Sequence, residues 1–310
     1  MRQTLLLIVA VALVGCGKKT TPAEPVTIAE PKVAANKPEP PKTEPQKQVP
    51  PKVEPKKPEP PKTEPKPVGK IAANAFVNTL GMKFVPVKGT DVQFCIWETR
   101  VKDYAAYAKA NEGVYGGWKK PSNLGTSFTQ EDTHPVVMVI WDDAQVFCEW
   151  LTKKELAEGE IKAGQKYRLP TDADWSVAVG LGKELGDTPE AKDGGIKDVY
   201  PWGKEWPPPK GAGNYGESLK VDKIDYTSPA GSFAANKLGL YDMGGNVYEW
   251  CEDKYSLNKA NQHVRVSRGA SWFYVAGPDD HLSSTRFNAF ATRLDLNFGF
   301  RCVLASGSGG

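Results

Sequence analysis

Histidine is almost missing from this 310-residue chain, with His134, His263 and His281 as the whole supply. A non-haem iron centre needs two histidines and a carboxylate on converging loops, so iron chemistry stays open here with no motif to support it. Positive charge is in small excess: the net charge is +3, and the lysines lie largely in residues 17–70 opposite interleaved glutamates. No basic face argues for a nucleic-acid partner. Apolar runs are scarce, and the stretch at residues 5–14 is too short to cross a bilayer as a mature helix. Residues 17–70 contain no aromatic side chain and consist almost entirely of Pro, Lys, Glu, Thr, Val and Ala. Such a segment buries too little apolar surface to offset the entropy of ordering.

The short apolar run has the form of a secretory signal, with Arg2 before it and Leu13-Val14-Gly15-Cys16 at its end. That order resembles a bacterial lipobox, in which Cys16 becomes the lipidated first residue after cleavage. The competing reading is an ordinary signal peptide with an incidental cysteine. Residues 1–16 are therefore expected to be a lipoprotein signal peptide and residues 17–70 a disordered Pro-rich linker. KPEPPKTEP occurs twice, at 37–45 and 57–65, which marks low complexity and not a solenoid. Polyproline II, at about 3.1 Å per residue, would let this stalk reach up to about 150 Å. The expected location is the cell envelope, with the folded domain lipid-anchored to a bacterial membrane, in the periplasm or outside.

Residues 71–305 carry all nine tryptophans and, with them, enough apolar material for one sizeable core; residues 306–310 read as a flexible tail. Short strands are expected at 82–85, 92–97, 136–140, 264–267 and 298–304. A helix over 102–110 follows from the stripe Val101, Tyr104, Ala105 and Ala108. A second, capped by Asp142 or Asp143, aligns Val146, Phe147, Trp150 and Leu151 before Gly159 stops it. A third starts at Thr171, with Asp174 three residues on in a capping-box arrangement. The irregular stretches 115–133 and 181–228 are too long for a compact domain unless something pins them.

Several motifs fall in order along this region: RLPT at 168–171 followed by Asp174-Trp175, YPWG at 200–203, GLYDMGGNVYEW at 239–250, RGASWF at 268–273, Arg286, and GFRC at 299–302. As a set they resemble the formylglycine-generating enzyme family, also called sulfatase-modifying factors, across roughly residues 71–305. The resemblance implies an α+β fold, a loop-rich duplicated C-type-lectin-like architecture held by calcium, tryptophan packing and a disulfide. It implies one calcium site from the side chains of Asp242 and Glu249 and the carbonyls of Gly245 and Val247. Asp242 stands where the family more usually has Asn. A second calcium site maps to Asn214, the Tyr215 carbonyl, Asp222 and the Ile224 carbonyl. Oxygen donors on a turning backbone suit this cation, and the alternative is a Gly-rich turn with solvated acids.

The resemblance also selects one bridge, Cys148 to Cys302, leaving Cys95 and Cys251 either paired or merely buried. Formylglycine-forming members hold copper(I) between two thiolates just after the RGGSW-like motif. Here those positions read Tyr274 and Asp279, hard oxygen groups unsuited to a soft ion, so no copper is expected. Arg268, Ser271, Trp272 and Arg286 fall where relatives line a substrate groove, and with Tyr274, Asp279 and His281 they form the candidate ligand cleft. Asp279-Asp280-His281-Leu282-Ser283 has the ingredients of a triad, but adjacent residues rarely face one another as a triad requires, so a polar loop is the expectation. The resulting functional reading is an envelope lipoprotein whose domain binds a protein, peptide or glycan without copper-dependent oxidase activity. The alternative is an oxidoreductase-type enzyme using the same cleft with iron or another metal.

Overall fold

The computed structural model describes residues 75–273 and 277–307. The expected signal peptide, Cys16, the linker, Tyr274 and residues 308–310 of the tail lie outside the described residues. The first strands are β1 (Phe76–Val77), β2 (Lys83–Pro86) and β3 (Val92–Cys95), followed by α1 (Val101–Ala110) and the hairpin β4 (Ser122–Asn123) and β5 (Thr126–Ser127). Next come α2 (Trp141–Ala157), β6 (Lys166–Arg168), α3 (Asp172–Val179) and the single turn α4 (Pro189–Lys192). The chain closes with β7 (Tyr248–Lys254), β8 (Val264–Arg268), β9 (Phe287–Phe290), β10 (Phe298–Gly299) and β11 (Val303–Ala305). Among the described residues no helix is long and apolar enough to cross a membrane.

Two sheets carry the domain. One runs β1-β2-β3-β11-β6 and is antiparallel throughout. The other runs β10-β7-β8-β9, with a parallel β10–β7 pair. Alternation along the first sheet explains its position at the centre of the core. Phe84, Cys95 and Leu304 join one apolar cluster while Val85, Phe94 and Val303 join another, so successive side chains enter opposite faces and both faces are covered. In the first cluster α1 and α2 meet through Tyr104 and Phe147, whose rings stack at 5.8 Å.

Helix starts follow local chemistry. Thr171 Oγ1 accepts from the Asp174 amide at 3.0 Å while Asp174 Oδ2 accepts from the Thr171 amide at 3.0 Å, the reciprocal box expected for α3. In α2 the cap differs from expectation. Ile140 takes the N-cap position and Asp143 reaches back to its amide at 3.1 Å, because the helix begins at Trp141, ahead of both aspartates.

Strand assignments differ more. Residues 136–140 form no strand, and the expected strand at 298–304 is divided between the two sheets: β10 pairs with β7, and β11 lies between β3 and β6. The segment thereby stitches the sheets together. The seven-residue β7, whose first residues fall in the motif read as a metal loop, is the longest of the strands that sequence reasoning missed, β6 and β9 being others. The long 181–228 stretch is pinned by side chains: Asp222 accepts from the Tyr215 and Ile224 amides at 3.0 and 2.8 Å, and Asn214 Nδ2 donates to the Tyr226 carbonyl at 2.7 Å.

Candidate functional site

The GLYDMGGNVYEW motif turns sharply, with Asp242, Gly245 and Asn246 all at positive φ. Asn246 braces the turn by donating to Glu98 at 2.7 Å and accepting from the Ser228 amide at 2.9 Å. Glu249, on β7, receives a two-pronged bond from Arg301 at 2.5 and 2.7 Å and a third from Trp175 Nε1 at 3.2 Å. Asp242 Oδ2 accepts from the Gly231 amide at 2.6 Å. Three buried carboxylates, Glu98, Asp242 and Glu249, thus lie in the field of one buried guanidinium, Arg301, which pairs with Glu249. Burial pushes Glu98 up, and repulsion from Asp242 and Glu249 adds to it. Burial likewise pushes Asp242 up to about 6, against the Gly231 N–H and Arg301, which pull it down.

As a calcium site this loop has the right donor chemistry and a surplus of negative charge. Its acids, however, are aimed at protein donors, and among the described residues no group of three or more His, Cys, Asp or Glu side chains is arranged to hold a metal. Glu98 belongs to the cluster and escaped sequence reasoning, because it lies far from the motif in the chain. The second expected site has a different signature. Asn214 Oδ1 is buried without a hydrogen-bond partner, beside the loop that Asp222 organises. An orphaned buried oxygen is costly, and a cation would satisfy it.

The six described residues among those expected to line a cleft do not converge. Arg268 and Arg286 are buried in a network with Asp172 and Glu184. Arg286 meets Asp172 at 2.9 Å and Glu184 at 2.5 and 2.7 Å, and the Arg268 guanidinium pairs with Asp172 and lies 4.4 Å from the Trp175 ring. Burial alone would raise both acids, but Arg268 and Arg286 hold Asp172, and Arg286 with Ser176 holds Glu184, below the usual carboxylate values. Ser271 accepts from Asn297 at 2.9 Å, and Trp272 packs on Phe128 and Tyr226 while donating to the Leu296 carbonyl at 3.3 Å. Asp279 stands in solvent, paired with Lys197 at 3.1 Å. His281 is buried among Trp202, Trp206 and Tyr215, and burial lowers its proton affinity. The candidate cleft is therefore corrected to two structural packing sites, a surface carboxylate and an enclosed imidazole. The Asp279–Ser283 segment is not the polar loop expected: Pro278–His281 form a short 3-10 turn, His281, Leu282 and Ser283 are buried, and Asp279 and His281 stand in different surroundings.

A cleft of about 610 Å3 does open elsewhere, between the YPWG turn and residues 233–244; of the expected site residues, Asp242 alone lines it. Its parts are far apart in sequence, and no motif announces their meeting.

A family profile described as the Sulfatase-modifying factor enzyme 1-like domain matches residues 62–306. The chain belongs to this family. Inactive C-alpha-formylglycine-generating enzyme 2 of Bos taurus is 34% identical over 201 residues, 62% of this chain and 56% of the relative. Formylglycine-generating enzyme of Thermomonospora curvata is 34% identical over 154 residues, 47% of this chain and 41% of the relative. The chain thus spans little more than half the length of the first of these and less of the second. The solved structure of PvdO from Pseudomonas aeruginosa shares the fold at a TM-score of 0.51 and 22% identity, covering 78% of this chain and 99% of that one.

In this family member the four described cysteines are all buried thiols. Cys148 and Cys302 are neighbours, as the family bridge requires, but their sulfurs are 3.5 Å apart and unbonded, well beyond the roughly 2.05 Å of a disulfide. The Thr99 hydroxyl also contacts Cys302 Sγ at 3.6 Å. Cys95 and Cys251 belong to different core clusters. Burial pushes Cys95 up to about 12 and raises Cys251 and Cys302 as well, so these three thiols are held away from the thiolate that metal binding needs.

Proposed function

We propose that this chain is a cell-envelope lipoprotein, anchored through Cys16, whose formylglycine-generating-enzyme-like domain binds a ligand or partner without copper-dependent oxidase activity. One observation carries the non-catalytic part. Where an active member has a copper thiolate, Asp279 is a hydrated carboxylate paired with Lys197, and hard oxygen does not retain copper(I). The 34% identity to a relative named inactive is compatible with this reading, and the equal identity to a formylglycine-generating enzyme makes the peptide assay the deciding test. Incubating the purified full chain with copper(I), oxygen and a sulfatase-type cysteine peptide is expected to leave the peptide thiol intact. Aldehyde formation would overturn the proposal and favour an oxidoreductase.

Structural calcium is part of this proposal. The orphaned Asn214 Oδ1 with Asp222, and the acid surplus of Glu98, Asp242 and Glu249, supply the oxygen donors and the charge that calcium takes. A cation bound to the native state alone raises stability by mass action. Chelation is expected to lower the melting temperature of the full chain, and Asp222→Asn to shrink that response. Identical melting with calcium and with chelator would remove calcium from the account. For the anchor, Cys16→Ser should release soluble protein or block processing; a mature wild-type chain that is soluble and begins elsewhere would refute it.

A further inference from the structure

The cleft of about 610 Å3 lies within the range of roughly 300 to 1,000 Å3 common for small-molecule sites. Its charged lining is lopsided. Lys204, Lys210 and Lys237 stand on it against the single carboxylate of Asp242, whose Oδ2 is already engaged by the Gly231 amide. All three lysines are exposed, and each is presented by a hydrogen-bonded turn. Lys204 follows the Tyr200–Gly203 turn, closed by reciprocal backbone bonds of 2.7 and 3.0 Å. Lys210 lies between Pro209 and Ala212, joined at 3.0 Å. Lys237 rides a turn in which Asn236 Oδ1 accepts from the Leu238 and Leu240 amides at 2.9 and 3.1 Å.

The rest of the lining is largely apolar, with Val179, Phe233, Leu238, Leu240, Met243 and Trp202 contributing. Trp202 is fixed by parallel stacking on Tyr200 at 4.9 Å. The adjoining wall is close-packed: a Cβ on Gly244 would come within 2.5 Å of both Pro201 and the Tyr215 hydroxyl. Three lysines line one cleft against one engaged carboxylate, and an anion placed there offsets that excess of positive charge. A neutral glycan would bring neither the charge nor an apolar body.

We infer that this cleft binds a small organic anion, a carboxylate or phosphate with an aromatic or acyl body, its charge among Lys204, Lys210 and Lys237 and its body on the apolar lining. The inference rests on reading the domain as a binding module and names the ligand class of that module.

Calorimetric titration of the purified full chain with decanoate, with decanol and with phenyl phosphate tests it. Saturable one-to-one binding of at least one of the two anions is expected, and which of them binds separates a carboxylate source from a phosphate source. Decanol should bind about tenfold or more weakly than decanoate wherever decanoate binds. The triple change Lys204→Gln, Lys210→Gln, Lys237→Gln should weaken anion binding by about tenfold or more, as should raised salt, while Lys153→Gln on α2 should change nothing. The inference falls if neither anion saturates, if decanol matches decanoate, if the triple variant binds as the wild type does, or if a neutral oligosaccharide occupies the cleft instead. Peptide turnover, read separately, distinguishes the two failures: aldehyde formation with anion binding intact sinks the non-catalytic reading alone, and absence of both sinks this inference alone.

Discussion

Trp175 touches two buried ion clusters: its ring lies 4.4 Å from the Arg268 guanidinium, and its Nε1 donates to Glu249 at 3.2 Å. On the Arg268 side, two arginines meet two carboxylates, Asp172 and Glu184, and both acids are held below their usual range. On the Glu249 side, one arginine, Arg301, faces Glu249, Asp242 and Glu98, and the latter two are pushed up. Glu98, Asp242 and Glu249 lie deep in the core, whereas Glu184 is only half-buried. Deeper burial and a surplus of negative charge therefore act together to raise the acids on the Glu249 side, while two arginines offset burial on the other. The lesson is that a motif acid and a groove arginine cannot be assigned roles one at a time.

Breaking the balanced cluster should have the largest effect. Arg286→Met leaves Asp172 and Glu184 short of a partner, and removing one member of a buried pair costs about 3–5 kcal/mol. Chemical denaturation should register that loss; a change under about 1 kcal/mol would mean that the network is dispensable. In the acid-rich cluster the sign should reverse. Asp242→Asn keeps an acceptor for the Gly231 amide, tolerates the positive φ of 52°, and removes one of three crowded charges. In chelator at neutral pH it should stabilise the domain by on the order of 1–3 kcal/mol, the worth of one to two units of proton affinity. A destabilised variant under those conditions would contradict the charge-surplus account.

The pH dependence should separate the two clusters in one experiment. Asp172 and Glu184 have depressed folded values, so their contribution is complete above the ordinary carboxylate value of about 4 and is lost as pH falls below it. Asp242 has a raised folded value of about 6; the native state binds the proton more tightly, and stability declines as pH rises from about 4 towards it. In chelator, the wild type is expected to show both limbs, and Asp242→Asn should shrink the upper one to the share that Glu98 contributes while keeping the lower. An unchanged upper limb would assign that decline to other groups. The smallest effect belongs to the shared residue: Trp175→Phe keeps the aromatic face for Arg268 and loses the bond to Glu249, at about 1 kcal/mol. A double-mutant cycle with Asp242→Asn would measure how far the clusters are coupled through the ring.

What the sequence by itself determined is mostly local. Helix α3 was readable because Thr171 and Asp174 cap one another three residues apart, and α1 because its apolar stripe repeats with the helical period. The ordered motifs were enough to name the family, since RLPT, YPWG and GFRC keep their sequence order whatever their contacts. Tertiary structure alone decided the division of 298–304 between two sheets, as the partners of that segment come from β7 on one side and from β3 and β6 on the other. It also decided the fate of the charged residues. Arg268 and Arg286 sit at groove positions by motif, yet Asp172 and Glu184, about a hundred residues earlier, enclose them. Glu98 reaches the Asp242 loop across 148 residues through Asn246, and Lys204, Lys210 and Lys237 share a cleft only after residues 179–244 fold back on themselves. The physical reason is common to all of these: caps and stripes are set by neighbours along the chain, whereas the charge state of a buried group depends on which distant group is brought to it.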